Sequence, residues 1–287
     1  MRTISTFSIV ARDPATGELG VAVQSKFLSV GAMVPWAKAG AGAIATQANA
    51  NLDYGEIGIR LLEKGYSARQ VLDALLALDD GREDRQVGIV DARGGSAAFT
   101  GSLCHDWAGH ITGDDFSCQG NILVSGATVE ALAETFRTSE GSLADRLVLC
   151  LDRAQDAGGD RRGRQSAALL IVQEGASYGG YNDVKIDLRV DDHPEPIREL
   201  RRLLDLHQLY FGETTVRVLA DRKTTAAVQA RLRELGYYRG EVSGVYDDES
   251  RRAFFDWCGV ENYEERICEG DFFDGQILEI LLKSDGD

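Results

Sequence analysis

The sequence lacks the features that mark disulfide-bonded, zinc-binding and membrane-spanning proteins. Its five cysteines are widely spaced and include no CxxC pair, which argues against a disulfide framework and a zinc site. It has no apolar run of about 18 residues and no N-terminal apolar segment of signal-peptide length. Basic residues are outnumbered, with 31 Lys and Arg against 46 Asp and Glu, and the resulting formal net charge of −15 argues against nucleic acid and anionic membranes as partners. We therefore expect a cytoplasmic protein.

The remaining composition is that of an ordinary globular protein. At 287 residues and 44% hydrophobic content, the chain is long enough for a full core and more than one domain. Apolar residues recur at helical spacing in residues 56–78, 127–157 and 196–211, whereas residues 86–101 and 166–173 have the character of strands. Runs of strands interrupted by helical blocks predict an α+β fold with sheets between helices.

The most informative segment is a predicted hairpin near the start of the chain. Residues 6–11 and 19–24 show the period-2 pattern of strands on either side of a DPATGE turn. Thr6 opens the first strand. The second strand ends in three polar residues, Gln24, Ser25 and Lys26. Hydroxyl, amide and amine groups gathered at strand ends suggest an amide hydrolase built around a residue of the first strand.

Further polar groups follow glycine-rich turns or strands. They are Thr46 and Gln47, then Gln119 and Asn121, then Asp160, Arg164, Gln165 and Ser166. A glutamine amide or a backbone N–H near Gln47 would donate to an oxyanion, and Arg164 would grip a carboxylate with two hydrogen bonds. We expect these residues, together with Gln24, to bind substrate. A charged loop closed by an Asp–Arg pair is the alternative for residues 160–166.

The histidines and cysteines indicate no further chemistry. The four histidines have no HExxH or similar ligand spacing, so we assign no metal ion and no cofactor. Cys104 and Cys118 have no base beside them in sequence, and we expect buried thiols.

Five motifs occur in a fixed order within residues 1–212. They are TFSIVARDPATGELGVAVQSKFLSVG, RQVGIVD, QGNILVSG, AGGDRRGRQSAALLIV and IDLRVDDHPEPIREL. They resemble an uncharacterised bacterial family that is grouped with the N-terminal-nucleophile (Ntn) hydrolases. The resemblance implies a four-layer αββα fold, in which two antiparallel sheets pack face to face between helical layers. It also implies that a Thr, Ser or Cys at the start of the first strand attacks an amide carbonyl, with its own freed α-amino group as the base.

The resemblance makes Thr6 the candidate nucleophile, with Thr3 and Ser5 as alternatives. None of the three is N-terminal as written, and Arg2 is too large for simple removal of the initiator methionine, so the unprocessed chain would lack the free amine of an Ntn nucleophile. An ordinary strand threonine is the alternative role for Thr6.

Proteasome-like relatives carry an Asp and a basic residue on the second strand. This chain has Gln24 in roughly the Asp place, and a glutamine cannot act as a carboxylate. Ser25 is a second candidate hydroxyl. Lys26, if desolvated, would serve as the base because burial lowers the pKa of a lysine. A solvated surface lysine is the alternative.

Residues 228–260, VQARLRELGYYRGEVSGVYDDESRRAFFDWCGV, are similar to the repeat of peptidoglycan-binding modules. That module is a small three-helix domain, and the resemblance implies a cell-wall fragment as ligand. An oligomerisation module, or a helical core without a ligand, is the alternative. The predicted domains are therefore 1–212, an Ntn-hydrolase-like domain, and 225–287, a helical domain, joined by a linker at 213–224.

The sequence as a whole predicts a hydrolase of a C–N amide bond in a small peptide or cell-wall-derived substrate. A noncatalytic protein that binds a small molecule or a cell-wall fragment in the same fold is the alternative, and a third possibility is that both domains chiefly mediate assembly. We expect a small-molecule or peptide substrate, a homo-oligomer, and neither nucleic acid nor membrane as partner.

Overall fold

The computed structural model describes residues 6–283, so Thr3 and Ser5 lie outside the described residues. The strands are β1 Thr6–Arg12, β2 Leu19–Ser25, β3 Pro35–Lys38, β4 Gly42–Ala48, β5 Arg85–Asp91, β6 Ser96–Thr100, β7 Gly109–Gly113, β8 Phe116–Asn121, β9 Ser166–Val172, β10 Val184–Val190, β11 Arg217–Leu219 and β12 Phe272–Asp274. The helices are α1 Asp53–Glu63, α2 Ala68–Ala77, α3 Ala127–Thr138, α4 Leu143–Asp156, α5 Pro196–Phe211, α6 Arg222–Glu234, α7 Asp248–Glu261 and α8 Gly275–Leu282. The fold is mixed α+β with antiparallel sheets, as the sequence predicts.

The chain divides into two compact units between Leu203 and Leu204, within helix α5. Unit 1 contains β1–β10 and α1–α4, and unit 2 contains β11, β12 and α6–α8. The predicted linker at 213–224 is not irregular chain, because it contains β11 and the start of α6. Strand β11 has only three residues and pairs with β12, some fifty residues later in the chain. So short a strand shows no alternation of apolar and polar residues in the sequence. No helix in the described part of the chain is long and apolar enough to cross a membrane.

Unit 1 contains two antiparallel sheets. The six-stranded sheet has the order β10-β9-β2-β1-β8-β7, and the four-stranded sheet has the order β3-β4-β5-β6. The predicted N-terminal hairpin is confirmed as β1 and β2, which pair from Thr6 opposite Ser25 to Arg12 opposite Leu19.

Each sheet has one face toward helices and one toward the other sheet. Helices α1 and α2 pack on the four-stranded sheet through a cluster that includes Ile44, Val71 and Ile89. Helix α4 packs closely on one face of the six-stranded sheet. At Gly20 of β2 there is no room even for a Cβ atom, which would lie 2.8 Å from the Leu147 side chain of α4. The opposite face meets the four-stranded sheet, where Ser8 donates a hydrogen bond to Gln47.

The space between the two sheets is apolar in one part and polar in the other. The apolar part contains small and branched side chains of β1, β2, β4 and β9, with Val10, Val21 and Ala43 among its fully buried members. Its burial is a main source of stability, at about 1.5–3 kcal/mol for each fully buried valine. The polar part lies around the start of β1 and the end of β8, and it positions the candidate site.

Unit 2 has its own core, which includes Val228, Leu232 and Trp257. Helix α6 ends before Gly236, whose φ of 86° requires a left-handed backbone, and α7 begins after Asp247, which caps it through Ser250 N. A buried ion pair joins Arg266 to Asp274 at 2.8 Å. Asp274 also caps α8, so this pair fixes the start of the last helix.

An ion pair between Asp79, which follows α2, and Arg85 of β5 makes the stability of unit 1 dependent on pH. Asp79 accepts from Arg85 Nε at 2.8 Å and from Asn51 Nδ2 at 3.2 Å, and the Arg85 hydrogen bond holds the pKa of Asp79 well below its usual range. A lowered native pKa means that the ionised carboxylate stabilises the fold above the ordinary pKa of about 4, and that this stability is lost as the pH falls.

We expect Asp79→Asn to lower the free energy of unfolding at pH 7 by about 2 kcal/mol, the usual contribution of a hydrogen bond to a charged group. The difference from the wild type should narrow as the pH falls below about 4, which denaturant unfolding at a series of pH values would measure. Asp73→Asn is the matched control, because the Asp73–Arg69 pair is exposed and should contribute little. A difference that stays constant down to about pH 2 would contradict the assignment.

Candidate functional site

Four polar side chains form one row across neighbouring strands of the six-stranded sheet. Strand register places Thr6 of β1 opposite Asn121 of β8 and opposite Ser25 of β2, and Ser25 opposite Ser166 of β9. All four residues are fully buried. Thr6 Oγ1 lies 3.3 Å from Ser25 Oγ and donates a hydrogen bond to it. Four of the predicted site residues are therefore together, at the end of the sheet where β1 begins.

A hydrogen-bond network adjoins this row and joins the two sheets. Ser8 Oγ donates to Gln47 Oε1 at 2.7 Å and accepts from Gln119 Nε2 at 2.7 Å. Gln119 Oε1 in turn accepts from Ser117 Oγ at 2.8 Å.

The network continues to Gln86 on the four-stranded sheet. Gln86 Oε1 accepts from Gln47 Nε2 at 2.8 Å and from Asn121 Nδ2 at 3.0 Å. Asn121 thus belongs both to the network and to the Thr6 row. The amide of Gln47, predicted as an oxyanion donor, is instead engaged by Gln86.

Strand alternation separates two predicted residues from the row. Gln24 is adjacent to Ser25 and therefore points to the opposite, helix-facing side of the sheet. It is fully buried, and neither of its amide atoms has a hydrogen-bond partner in the described structure. Thr46 likewise points away from the network, and its hydroxyl donates to Asn51 O at 3.1 Å. The expectation that Gln24 and Thr46 line the same site as Ser25 and Gln47 is wrong.

Lys26 does not meet the condition set for a catalytic base. Its side chain is exposed, and Nζ donates to the carbonyl of Arg164 at 3.2 Å. The desolvation that the proposed role as a base required is therefore absent. Lys26 takes the alternative role, a surface cation beside the end of β2.

The loop before β9 supports the site rather than entering it. The buried carboxylate of Asp160 accepts from the backbone N–H groups of Lys26 and Arg162, both at 2.8 Å. Arg164 forms an ion pair with Glu195, so the carboxylate that it binds here is a side chain of the protein itself. These contacts fix the loop against the end of β2.

Gln165 and Ser166 complete this support. Gln165 N donates to the carbonyl of Ser25 at 3.0 Å, and its side chain donates to Asp192. Ser166 Oγ accepts from Val30 N at 3.1 Å and donates to Phe27 O at 2.5 Å, which holds the chain that follows β2. Ser166 therefore lies in the Thr6 row with its hydroxyl already engaged by backbone groups.

Sequence reasoning missed Ser8, Gln86 and Ser117. The signal was present, since each is a polar residue at an inward-facing position of a strand that is otherwise buried. A buried polar group must be hydrogen-bonded, so such positions predict a network. Which residues would complete it depended on how the two sheets face each other.

Other nucleophiles and bases are unfavourable within the described residues. Burial raises the pKa of the Cys118 thiol well above its ordinary value and that of Cys150 to about 12, so neither forms a thiolate at neutral pH. The hydrogen bond that the Thr6 hydroxyl makes within residues 6–283 is to Ser25 and not to a titratable side chain. Within the described residues, the hydroxyl of the candidate nucleophile is thus hydrogen-bonded to another hydroxyl and to no side-chain base.

Comparison with known proteins assigns the chain to a family. Residues 6–200 match the model of a "Family of unknown function (DUF1028)". The chain belongs to DUF1028. Residues 210–281 of this DUF1028 chain match a second model, described as "Putative peptidoglycan binding domain".

A solved structure of the same family supports the fold. The crystal structure of protein SPO2555 from Silicibacter pomeroyi is 32% identical to the DUF1028 chain, with a TM-score of 0.65. The match covers 71% of this chain and 89% of the other. No protein with a curated description matches the DUF1028 chain.

The inter-sheet network should contribute measurably to stability. We expect Ser8→Ala to lower the free energy of unfolding by about 1–3 kcal/mol, because it leaves Gln47 Oε1 buried without its donor and leaves Gln119 Nε2 with only the more distant Ser8 carbonyl of its two Ser8 acceptors. Ser102→Ala is the control, since Ser102 is exposed and its hydroxyl bonds to the surface residue Glu83. Denaturant unfolding of both variants tests this, and equal small losses would show that Ser8 is not integral to the network.

Proposed function

We propose that unit 1 is an amide hydrolase of the Ntn type, with Thr6 Oγ1 as its nucleophile. The observation that carries the proposal is the position of the Thr6 side chain: it is fully buried on the face of β1 that meets the other sheet, and its Oγ1 lies 3.3 Å from the hydroxyl oxygen of Ser25. In this proposal the two sheets and their helices form the four-layer αββα fold of the Ntn hydrolases.

The base would be the α-amino group of Thr6 itself. An unassisted hydroxyl is a weak nucleophile at neutral pH, and the described residues offer Thr6 no side-chain base. Hydrolysis of the Ser5–Thr6 peptide bond would supply a free amine on the same residue as the hydroxyl. The intact chain would then be inactive, and the chain that begins at Thr6 would be the enzyme.

The proposed reaction has two steps. The amine takes the hydroxyl proton as Oγ1 attacks the substrate carbonyl, and the resulting ammonium group protonates the leaving nitrogen when the C–N bond breaks. Water then hydrolyses the ester on Thr6 and restores the hydroxyl. Ser25 Oγ, the hydrogen-bond partner of Thr6, orients the nucleophile before attack.

A cell-wall-derived amide is the substrate class that we propose. The match of residues 210–281 to a peptidoglycan-binding model supports this choice, because such a module would hold a fragment that carries peptide amide bonds. A cytoplasmic location and a homo-oligomeric state remain predictions of the sequence.

A reactive-probe experiment tests the nucleophile without knowledge of the substrate. We expect a β-lactone to acylate Thr6 in a chain that begins at Thr6, at least about 100-fold faster than in the chain that keeps residues 1–5, which is the low end of a general base's contribution. The lactone ring opens and its alkoxide takes the threonine proton, so the mass rises by the whole probe. Intact mass and peptide mapping measure the rate and the site.

Thr6→Ala should abolish labelling, and Thr6→Ser should retain it. Hydrolysis of a panel of dipeptides and cell-wall stem peptides by the labelling-competent chain then tests the substrate class. If a folded chain that begins at Thr6 is neither labelled nor active, unit 1 is the noncatalytic binding protein. If the probe labels Ser25 instead, the nucleophile is misassigned.

A further inference from the structure

The amide of Gln86 has its orientation fixed by two backbone carbonyls. Its Nε2 lies 2.8 Å from Gly120 O and 3.1 Å from Gly109 O, and it also donates to Thr100 Oγ1 at 2.9 Å. Carbonyl oxygens only accept hydrogen bonds, so the nitrogen of the amide must face them. The oxygen of Gln86 therefore faces the other way, toward Gln47 and Asn121.

This orientation determines the next amide. Because Gln86 Oε1 only accepts, Asn121 must direct Nδ2 toward it, and their separation is 3.0 Å. A flipped Asn121 would set two carbonyl oxygens against each other in a fully buried site, which is unfavourable where water cannot intervene. The carbonyl oxygen of Asn121 is consequently turned away from Gln86.

The same logic fixes the other branch of the network. Gln47 must direct its Nε2 toward Gln86, so its oxygen accepts from Ser8. Ser8 then accepts from Gln119, whose oxygen accepts from Ser117. Gln86 thus fixes the direction of the hydrogen bonds as far as Ser8, and the donation of Gln119 Nε2 to the Ser8 carbonyl agrees with that direction.

We infer that Gln86 is a positioning residue, which holds the Asn121 carboxamide with its oxygen presented as an acceptor in the row that contains Thr6. Thr6 and Asn121 are register partners on one face, where directly opposite side chains lie about 5 Å apart. An acceptor at this place favours the positive charge that the Thr6 amine gains as the hydroxyl is deprotonated. The catalytic part of the inference rests on the proposed function.

The surroundings of Gln86 contain few groups that titrate. Gln47 of β4, Thr100 of β6 and Asn121 of β8 face it, and none of them ionises. His110 of β7 is one bond further, with Nδ1 2.9 Å from Thr100 Oγ1. Arg85, the preceding residue on β5, is paired with Asp79. Among the described residues, His110 is thus the group to control for, while the titration of the Thr6 amine is common to the wild type and the variant.

Gln86→Glu, in the chain that begins at Thr6, is the decisive variant. The introduced carboxyl, while protonated, keeps one donor for the carbonyls and one acceptor for Asn121. Its ionised form still accepts but has no donor, so the carbonyl oxygens of Gly120 and Gly109 repel it and displace it from its place beside Asn121. Burial raises the pKa of a carboxyl, so the change falls within an accessible pH range. We expect β-lactone labelling of Thr6 near the wild-type rate at low pH, and at least a tenfold loss, on the order of one hydrogen-bonded group's effect, as the pH rises.

Two controls isolate this effect. Gln155→Glu places a carboxyl on α4, outside the network, and should show no new pH dependence. Combining Gln86→Glu with His110→Asn should leave the new pH dependence in place. A labelling profile of Gln86→Glu that superimposes on that of the wild type overturns the inference.

A second measurement does not depend on activity. The side-chain NH₂ protons of Asn121 should exchange slowly with solvent in the wild type and much faster in Gln86→Met, as NMR would show. If Gln86→Met does not fold, exchange is compared in Gln86→Glu on either side of its titration. Unchanged exchange overturns the inference. If the wild-type chain that begins at Thr6 resists labelling, the proposed function fails, and the exchange result alone decides whether Gln86 positions Asn121.

Discussion

The hydrogen bonds from Gln86 to the carbonyls of Gly120 and Gly109 are the constraint on which the centre of unit 1 depends. They cross from the four-stranded sheet to the six-stranded sheet, and they allow only one orientation of the Gln86 amide. Asn121, Gln47 and Ser8 take their donor and acceptor roles from that orientation, and Gln119 is also oriented by its own hydrogen bond to the carbonyl of Ser8. Buried polar groups are costly unless they are hydrogen-bonded, and here each hydrogen bond also requires a particular orientation of the donor and the acceptor.

The two parts of the inter-sheet space have different tasks. The apolar part, formed by side chains such as Val21 and Val23, stabilises the packing of the sheets without specifying a polar geometry. The polar part specifies how side chains are oriented around Thr6 and Asn121. A residue at the start of the first strand is thereby held between rigid elements, which is the arrangement that a preorganised nucleophile requires.

Unit 2 uses a comparable device on a smaller scale. The buried guanidinium of Arg266 contacts the carboxylate of Asp274 and the carbonyls of Gln208 and Leu209, so one side chain joins the end of α5 to the start of α8. Such a pair is expensive to bury and strongly destabilising to break from one side. It therefore specifies the arrangement of this small unit more than it adds to its stability.

The local elements of the fold could be predicted from the sequence because they arise from local chemistry. The hairpin of β1 and β2 followed from period-2 alternation around a turn, and the helices from apolar spacing. The short strand β11 could not be predicted, because three residues contain no period and its partner β12 is distant in the chain.

The sequence by itself determined the N-terminal hairpin, the main helical blocks, the family, and the presence of polar residues near the start of β1. Only the tertiary structure decided which of them meet. Alternation turned Gln24 and Thr46 away from Ser25 and Gln47, although each is adjacent in sequence to a member of the site. Register and sheet packing brought in Ser8 and Gln86 instead. The physical reason is that neighbouring residues of a strand point to opposite faces, while partners within a site come from strands that only the folded chain places side by side.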